Sequence, residues 1–507
     1  MRGPSSSHTA ASWRIATLGL QILNETLKSA SIGFDINGAW AHNYIEQGTA
    51  MGINAGLLGL DISDDRMKNT NALTSEMNVS IDYELGDIPN KHVNSVQLSL
   101  EGIQGKKVKV LAASLGGGSF EIQKINEFDV SIYGDSYEML IFMNEKQTSL
   151  DEIKKIITKG VMSYWSQTKN GSLVNLKSAF SYTPDLINQI KEFSYVDEVV
   201  IVNPILTILT GNESEMPFNT IESLINYSES ENMDLGDLGL VYEKNKSGLS
   251  DVILSSRMQE IVRIINDSIN IGLKGTEYKD RILSRQSHLI AKTEKEGKIL
   301  QKSVINNTIA YVTAVMESKS GMEVIVANPT AGSCGTVGGV LKAVAEDINA
   351  TEDDLSKAYF ASGLVGIYFA NDLGFSAEEH ACQVECGAAS AMAAAAIAQL
   401  FGGSAKQALN AASMAIQNMI GLVCDPVADR VEVPCLGKNI SAAMNALSSA
   451  TMACSGYDAV VPLNEVIETV ARVSKQMPSC LKCTGKGGLA ITPTSLKLKD
   501  ALEKRNH

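Results

Sequence analysis

The first 333 residues of this 507-residue chain contain no cysteine, although the chain has eight. Seven of the eight fall between Cys382 and Cys483, and Cys334 precedes them by fewer than fifty residues. Cysteine used only as a small hydrophobe would be spread more evenly. In a large chain without a secretory signal, such clustering reads as reduced thiols, metal ligands or catalytic groups rather than a disulfide framework. Also missing is any Lys/Arg cluster interleaved with aromatics. With a formal net charge of −14, that argues against a nucleic-acid or anionic-membrane surface. The Ala-rich apolar run 388–400 has 13 residues, too few to span a bilayer and well suited to a buried helix. No apolar stretch follows Met1-Arg2-Gly3-Pro4, so a cytoplasmic location is expected. There is no internal repeat, no heptad seam, and no lysine-centred motif or Gly-rich phosphate loop of a pyridoxal-phosphate enzyme.

What is present suits small-molecule chemistry in a multidomain chain. Hydrophobic residues make up 44% and charged residues 20%, the balance of a globular protein, and the length predicts two to four domains. Residues 1–135 read as an α+β domain, with a helix over 10–28 and strands at 94–101 and 107–113. Residues 136–206 carry a βαββαβ order that resembles an ACT domain, a small module that commonly binds amino acids at paired interfaces; a homodimer is expected. Residues 207–222 read as a linker. Residues 223–498 are rich in Ala, Met and Leu and read as an all-α carboxyl-terminal domain holding every cysteine.

Cys382, Cys424 and Cys435 are separated by 42 and then 11 residues, so only the fold can bring them together. Cys424 and Cys435 each stand beside a proline in expected loop. Three thiolates on a [4Fe–4S] cluster leave one iron open as a Lewis acid. A zinc site and three packed hydrophobes fit the same spacing. Cys386 would share a face with Cys382 on a continuous helix, and Cys480-x-x-Cys483 has no matching partner pair. At the amino terminus, Ser5, Ser6, Ser7 and Thr9 lead into a helical pattern, where hydroxyls and backbone N–H groups can hold an anion. His8 and His92 are two of six histidines and are candidates for proton transfer or substrate orientation.

Eight segments in order carry a close resemblance: Gly3-Pro4-Ser5-Ser6-Ser7-His8-Thr9-Ala10, His92-Val93-Asn94, Ser114-Leu115-Gly116-Gly117-Gly118, Asn328-Pro329-Thr330-Ala331-Gly332-Ser333, Cys382-Gln383-Val384-Glu385, Cys424-Asp425-Pro426-Val427, Val431-Glu432-Val433-Pro434-Cys435 and Gly487-Gly488-Leu489-Ala490. Together they resemble the iron–sulfur L-serine dehydratases, with β-type and α-type portions fused. The resemblance implies a [4Fe–4S] cluster on Cys382, Cys424 and Cys435. It also implies an oxygen-sensitive lyase that turns L-serine into pyruvate and ammonia, with a site between domains. Ser5, Ser6, Ser7, Thr9 and Asn94 would then bind substrate, and His8 and His92 would be catalytic. Sister reactions on L-cysteine or L-threonine, and a cluster-based amino-acid sensor, are the alternatives. The chain departs from the family in three places. Only Met1 and Arg2 precede Gly3. Gln47 replaces the histidine of Gly-His-Gly-Thr, with His42 nearby as a substitute. The chain ends Arg505-Asn506-His507 without the cysteine by which some relatives cover the open iron, which leaves the ACT-like segment as the candidate regulator.

Overall fold

The computed structural model describes residues 1–88, 92–144, 150–157, 161–168, 171–206, 216–278, 281–301 and 303–506. It comprises two compact units. One is α+β (His8–Ile45 and Thr49–Ser214); the other is helical and takes in Met1–Ser7, Glu46–Gly48 and Glu215–His507. The opening serines thus divide from His8. Residues 1–7 go with the helices, whereas the sequence reading kept all of 1–135 together.

In the α+β unit, a six-stranded sheet has the order β2-β1-β3-β4-β5-β6, with β1 (Leu27–Asp35), β2 (Ser80–Gly86), β3 (Ser95–Gly102), β4 (Lys107–Gly116), β5 (Ser119–Ile125) and β6 (Phe128–Ile132). Only β1 and β2 are parallel. Strict alternation sets the inner face: Val96, Leu98 and Leu100 are buried, as are Val108, Val110 and Ala112. The helix Ala11–Leu23 covers that face with Ile15, Leu18 and Ile22, and Gly19 leaves room for Leu98 and Leu100. The predicted helix over 10–28 stops early. Asn24 takes the left-handed conformation (φ 53°) that closes a helix, and Lys28 already lies in β1. His92 to Ser95 form the turn into β3.

A second, antiparallel sheet contains β7 (Tyr137–Met143), β8 (Met162–Thr168), β9 (Gly171–Ser178) and β10 (Val196–Val202) in the order β10-β7-β9-β8. Helices Leu150–Ile156 and Pro184–Lys191 complete a βαββαβ run, the split βαβ arrangement. One face of this sheet packs on those helices through Met139, Ile141, Val174, Leu176 and Ile190. The other adds Leu140, Leu173 and Val200 to the core under the first sheet. Of the expected linker 207–222, residues 207–215 lie outside the described residues; a capping box on Thr220 then starts the helix Ile221–Glu231.

The helical unit is organised around the helix Cys386–Leu400, whose residues are buried all round up to Gln399. Its small alanines and Gly387 let helices Cys334–Ile348, Glu352–Asp372, Ala405–Gln417 and Cys435–Cys454 close around it, a dense packing that larger side chains would prevent. Ala377–Leu400 is long and apolar enough to cross a membrane, yet 94% of its apolar window is buried inside this unit.

Candidate active site

Cys382 sits at a break between helices. The short helix Ala377–His380 ends at Ala381, whose φ of 59° is rare for a residue with a Cβ, and a 3₁₀ turn Ala381–Val384 carries the cysteine. At Glu385 the backbone leaves helical geometry (φ −101°, ψ −83°) before the next helix begins at Cys386. No continuous helix joins Cys382 to Cys386, so the expected shared face is absent. Cys386 instead begins the buried core helix, where Asn439 Nδ2 lies 3.7 Å from its sulfur.

Cys424 lies in extended chain. Its N–H donates to the Leu481 carbonyl (2.9 Å) and its own carbonyl accepts from Cys483 N–H (3.0 Å), forming a short parallel bridge with Lys482. Cys435 is not in a loop: Pro434 ends the preceding segment and Cys435 is the first residue of the helix Cys435–Cys454. The ligand atoms of Cys382, Cys424 and Glu385 lie within 4.8 Å of one another, and Cys382, Cys424 and Cys483 pack together with Ala377 and Ala381. Cys435 stands outside that tight group, though ionisation of Cys382 would raise the Cys435 thiol and ionisation of Cys435 would raise that of Cys386.

The thiols resist ionisation. The hydrogen bond with Cys424, followed by burial, pushes Cys382 well above the ordinary range. At Cys424 the bond from Cys382 lowers the thiol, but the bond with Cys483 and burial outweigh it and raise it. Burial pushes Cys435 up to about 12. These sulfurs become thiolates only with positive charge beside them, which a bound metal provides.

Hydrogen bonds fix the segments that carry Cys424 and Cys435. Lys438 Nζ donates to Asp425 Oδ1 (2.6 Å) and to the Val423 carbonyl (2.7 Å). Burial disfavours its charge, but an ionised Cys382 and the Asp425 carboxylate outweigh that and raise its pKa. Asp425 Oδ2 accepts from Leu489 N–H (3.0 Å). Gly488 stands against Asp425 with φ +58°, where a Cβ would come within 2.7 Å of the Asp425 side chain; this explains the paired glycines 487–488. Asn439, fully buried, donates to the carbonyls of Gly332 (2.8 Å) and Cys435 (2.9 Å) and accepts from Thr336 (2.9 Å).

Thr330 Oγ1 donates to Glu385 Oε1 (2.7 Å), and Glu385 Oε2 lies 3.9 Å from Cys382 Sγ. Glu385 keeps some accessible surface, yet protein surrounds its carboxyl closely enough that burial pushes it up to about 7. Next to Thr330, Ala331 N–H donates to Ser6 Oγ (3.2 Å). Of the predicted substrate residues, Ser6 is therefore linked through three short contacts to Cys382. The serines are not a simple helix cap: Ser6–Ala10 form a π turn, and the helix from Ala11 has no side-chain cap. Lys438 and Asn439 are residues of this site that sequence reasoning did not single out, Glu385 was seen only as part of a motif, and Cys483 was set aside with Cys480 for want of a partner pair. Lys438, Asn439 and Glu385 lie within four residues of a predicted ligand, which was the available signal; the place of Cys483 beside Cys382 and Cys424 needed the fold.

In the α+β unit, His8 is 1% exposed, with Nε2 3.1 Å from Asn43 Oδ1 and its ring 5.8 Å from Trp40. His92 Nδ1 accepts from Asn94 N–H (3.1 Å), which places any proton of a neutral ring on Nε2. Thr9 and Asn94 are fully buried. His42, the suggested substitute for the missing histidine, is exposed, whereas Gln47 is buried.

Comparison with known proteins places this site in a family. A family model described as "Serine dehydratase alpha chain" matches residues 59–490, a stretch that includes all eight cysteines. The "Probable L-serine dehydratase, alpha chain" of Bacillus subtilis (strain 168) is 33% identical over 282 residues, 56% of this chain and 94% of the relative. The "L-serine dehydratase, alpha chain" of Peptoniphilus asaccharolyticus is 32% identical over 284 residues, 55% of this chain and 97% of the relative. The "L-serine dehydratase" of Streptomyces coelicolor aligns further, at 26% identity over 84% of this chain and 92% of its own length. On a match that spans most of its length and all of its cysteines, the chain belongs to the serine dehydratase alpha chain family.

Proposed function

We propose that this protein is a lyase that removes the β-hydroxyl and then ammonia from L-serine, giving pyruvate, with a [4Fe–4S] cluster held by Cys382, Cys424 and Cys435. The observation that carries the reading is the convergence of Cys382 and Cys424, 42 residues apart and both buried, in a chain from this family. The donor set fits the cofactor: Cys382, Cys424 and Cys435 are buried thiols that would hold it once its positive charge lets them ionise. Held by these three thiolates, a cluster would supply Lewis-acid chemistry at the substrate hydroxyl.

The chain's own residues do the rest. The hydroxyls and backbone N–H groups of Ser5, Ser6, Ser7 and Thr9 receive the substrate carboxylate. His8 and His92 orient substrate or move its proton, and Asn94 binds its polar head. Loss of water from serine leaves aminoacrylate, which tautomerises to an imine; water hydrolyses the imine to pyruvate and ammonia. The βαββαβ run at 136–206, read as an ACT-like module, is the proposed regulatory part.

The test is purification without oxygen, assay of iron and sulfide, and pyruvate formation from L-serine. The expected result is brown, iron-loaded protein whose turnover decays in air. Iron-free protein that still deaminates serine removes the cluster from the reading. Preferred turnover of L-threonine or L-cysteine replaces the substrate, and iron-loaded protein without turnover of any amino acid points to a sensor.

A further inference from the structure

Among the described residues, the buried polar atoms of the α+β unit that have no hydrogen-bond partner include Trp40 Nε1, Thr49 Oγ1, and Oδ1 and Nδ2 of Asn94; the others belong to Arg14, Glu138, Ser172 and Asn175. Trp40 is 1% exposed, and Thr49 and Asn94 are fully buried. Folded proteins pair nearly all such atoms, because an unpaired buried donor or acceptor loses its water and gains nothing. Three residues with this defect, on segments bound to one another, mark a place prepared for something else.

Those segments are tied together around His8. Ser12 Oγ is 3.0 Å from the Thr49 carbonyl and 3.2 Å from that of Thr9. The His8 ring stands 5.8 Å from Trp40, which is braced edge-on by Phe34 at 6.0 Å. Ala39 N–H donates to the Val93 carbonyl at 2.8 Å, joining the residue before Trp40 to the residue before Asn94. Ser114 N–H donates to the Asn94 carbonyl at 3.1 Å, which satisfies the backbone of Asn94 while its side chain stays unpaired.

We propose that Trp40, with Thr49 and Asn94, binds the head group of the amino-acid substrate, and that the Trp40 indole N–H is a carboxylate donor. The polarity of the orphaned atoms fits a zwitterion. An indole N–H can only donate, the Asn94 amide nitrogen only donates, and the Thr49 hydroxyl can donate; a carboxylate only accepts. The remaining atom, Asn94 Oδ1, is an acceptor and matches an ammonium. The phenyl and indole packing of Phe34 against Trp40 fixes the direction of the N–H, so it is preorganised for the ligand. This inference rests on the amino-acid lyase reading and adds to it a tryptophan that none of the matched motifs contains.

The experiment uses the full-length, cluster-loaded protein. Calorimetric titration with glycine, which carries the head group without a hydroxyl, and with L-serine is compared for the parent, Trp40→Phe and Thr49→Val. Loss of one hydrogen bond to a charged group is expected to weaken binding of both ligands by roughly tenfold. In pyruvate assays KM for L-serine should rise by a similar factor with kcat little changed, as when binding common to ground and transition states is removed. Variants that fold normally and keep parental affinity and KM overturn the proposal and leave ordered water only as the partner of these atoms. A parent that binds neither ligand overturns it too. A parent that binds glycine and serine but makes no pyruvate, with variants that bind neither, upholds the head-group site while the lyase reading falls. If Trp40→Phe does not fold, Thr49→Val, which preserves shape, decides the matter.

Discussion

The polar side chains that hold the Cys424 and Cys435 segments and those of Trp40, Thr49 and Asn94 are satisfied differently. Around the cysteines of the helical unit, Asn439, Lys438, Asp425 and Thr330 all have hydrogen-bond partners within the protein, and the sulfurs are what remain to be used. In the α+β unit, the side chains of Trp40, Thr49 and Asn94 are buried with their own bonds unmade. A resident inorganic group needs ligand loops that are already held in place, so its scaffold is complete and only soft donors are left over. A ligand that enters and leaves must be met by donors that nothing else has taken. The contrast fits the proposed function, with a resident cofactor at the cysteines and a transient small molecule beside Trp40.

The sharpest way to break the comparison is Cys424→Ala. Cys424 joins the chain of thiol contacts from Cys382 to Cys483, and its removal takes away a proposed ligand rather than a supporting group. Loss of outer partners of a metal site alone reduces affinity or activity by about 10–100-fold, so loss of a ligand should exceed that. The expected outcome is protein without bound iron and pyruvate formation reduced by more than about a hundredfold. Far-UV circular dichroism should be unchanged, because each unit has its own core. Iron retained at the parental level would mean that Cys424 is only a packed thiol.

A smaller effect is expected from Gly488→Ala. At φ +58° an alanine is strained, and its Cβ would stand 2.7 Å from Asp425; strain of this kind costs about 1–3 kcal/mol. Asp425 holds Lys438 and Leu489 N–H, so the disturbance passes to the loop that carries Cys424. Thermal denaturation should shift downward and iron should be lost faster on dialysis, while glycine binding, which the α+β unit is proposed to supply, stays near the parental value. Equal damage to both readouts would erase the distinction between the units.

How far the sequence disclosed this arrangement depends on the kind of signal. Periodicity and composition were enough for the helical character of 223–498 and for strands near 94–101 and 107–113, since each rests on a local pattern of burial. Gly-Gly at 487–488 was visible as a motif, but its reason, the approach to Asp425, is a contact across 63 residues of chain. The early end of the first helix was missed because Asn24, not Gly, supplies the left-handed cap. The break between Cys382 and Cys386 depends on Ala381 and Glu385 adopting unusual backbone angles, which neither side chain announces. The division of the opening motif, Ser6 bonded to Ala331 and His8 to Asn43, is a tertiary fact that adjacent residues conceal.

The Cys-x-x-Cys pair offers the smallest expected effect and the finest test of what makes a cysteine part of the site. Cys483 is buried beside Cys424 and Cys382, and burial lifts its thiol to about 11 despite the hydrogen bond from Cys424, which acts in the opposite direction. Cys480 is only partly buried. What the fold uses at 480 is backbone: a Cβ on Gly487 would meet the Cys480 carbonyl at 2.6 Å, and the chain there leads into the bridge between Cys424 and Lys482. Alanine preserves that backbone. Cys480→Ala is therefore expected to change stability by less than about 0.5 kcal/mol, the range of surface substitutions, with parental iron content and pyruvate formation. A marked loss of iron from Cys480→Ala would extend the metal pocket to the strap that carries both thiols, and nearness to Cys424 would cease to be the property that separates working cysteines from the rest.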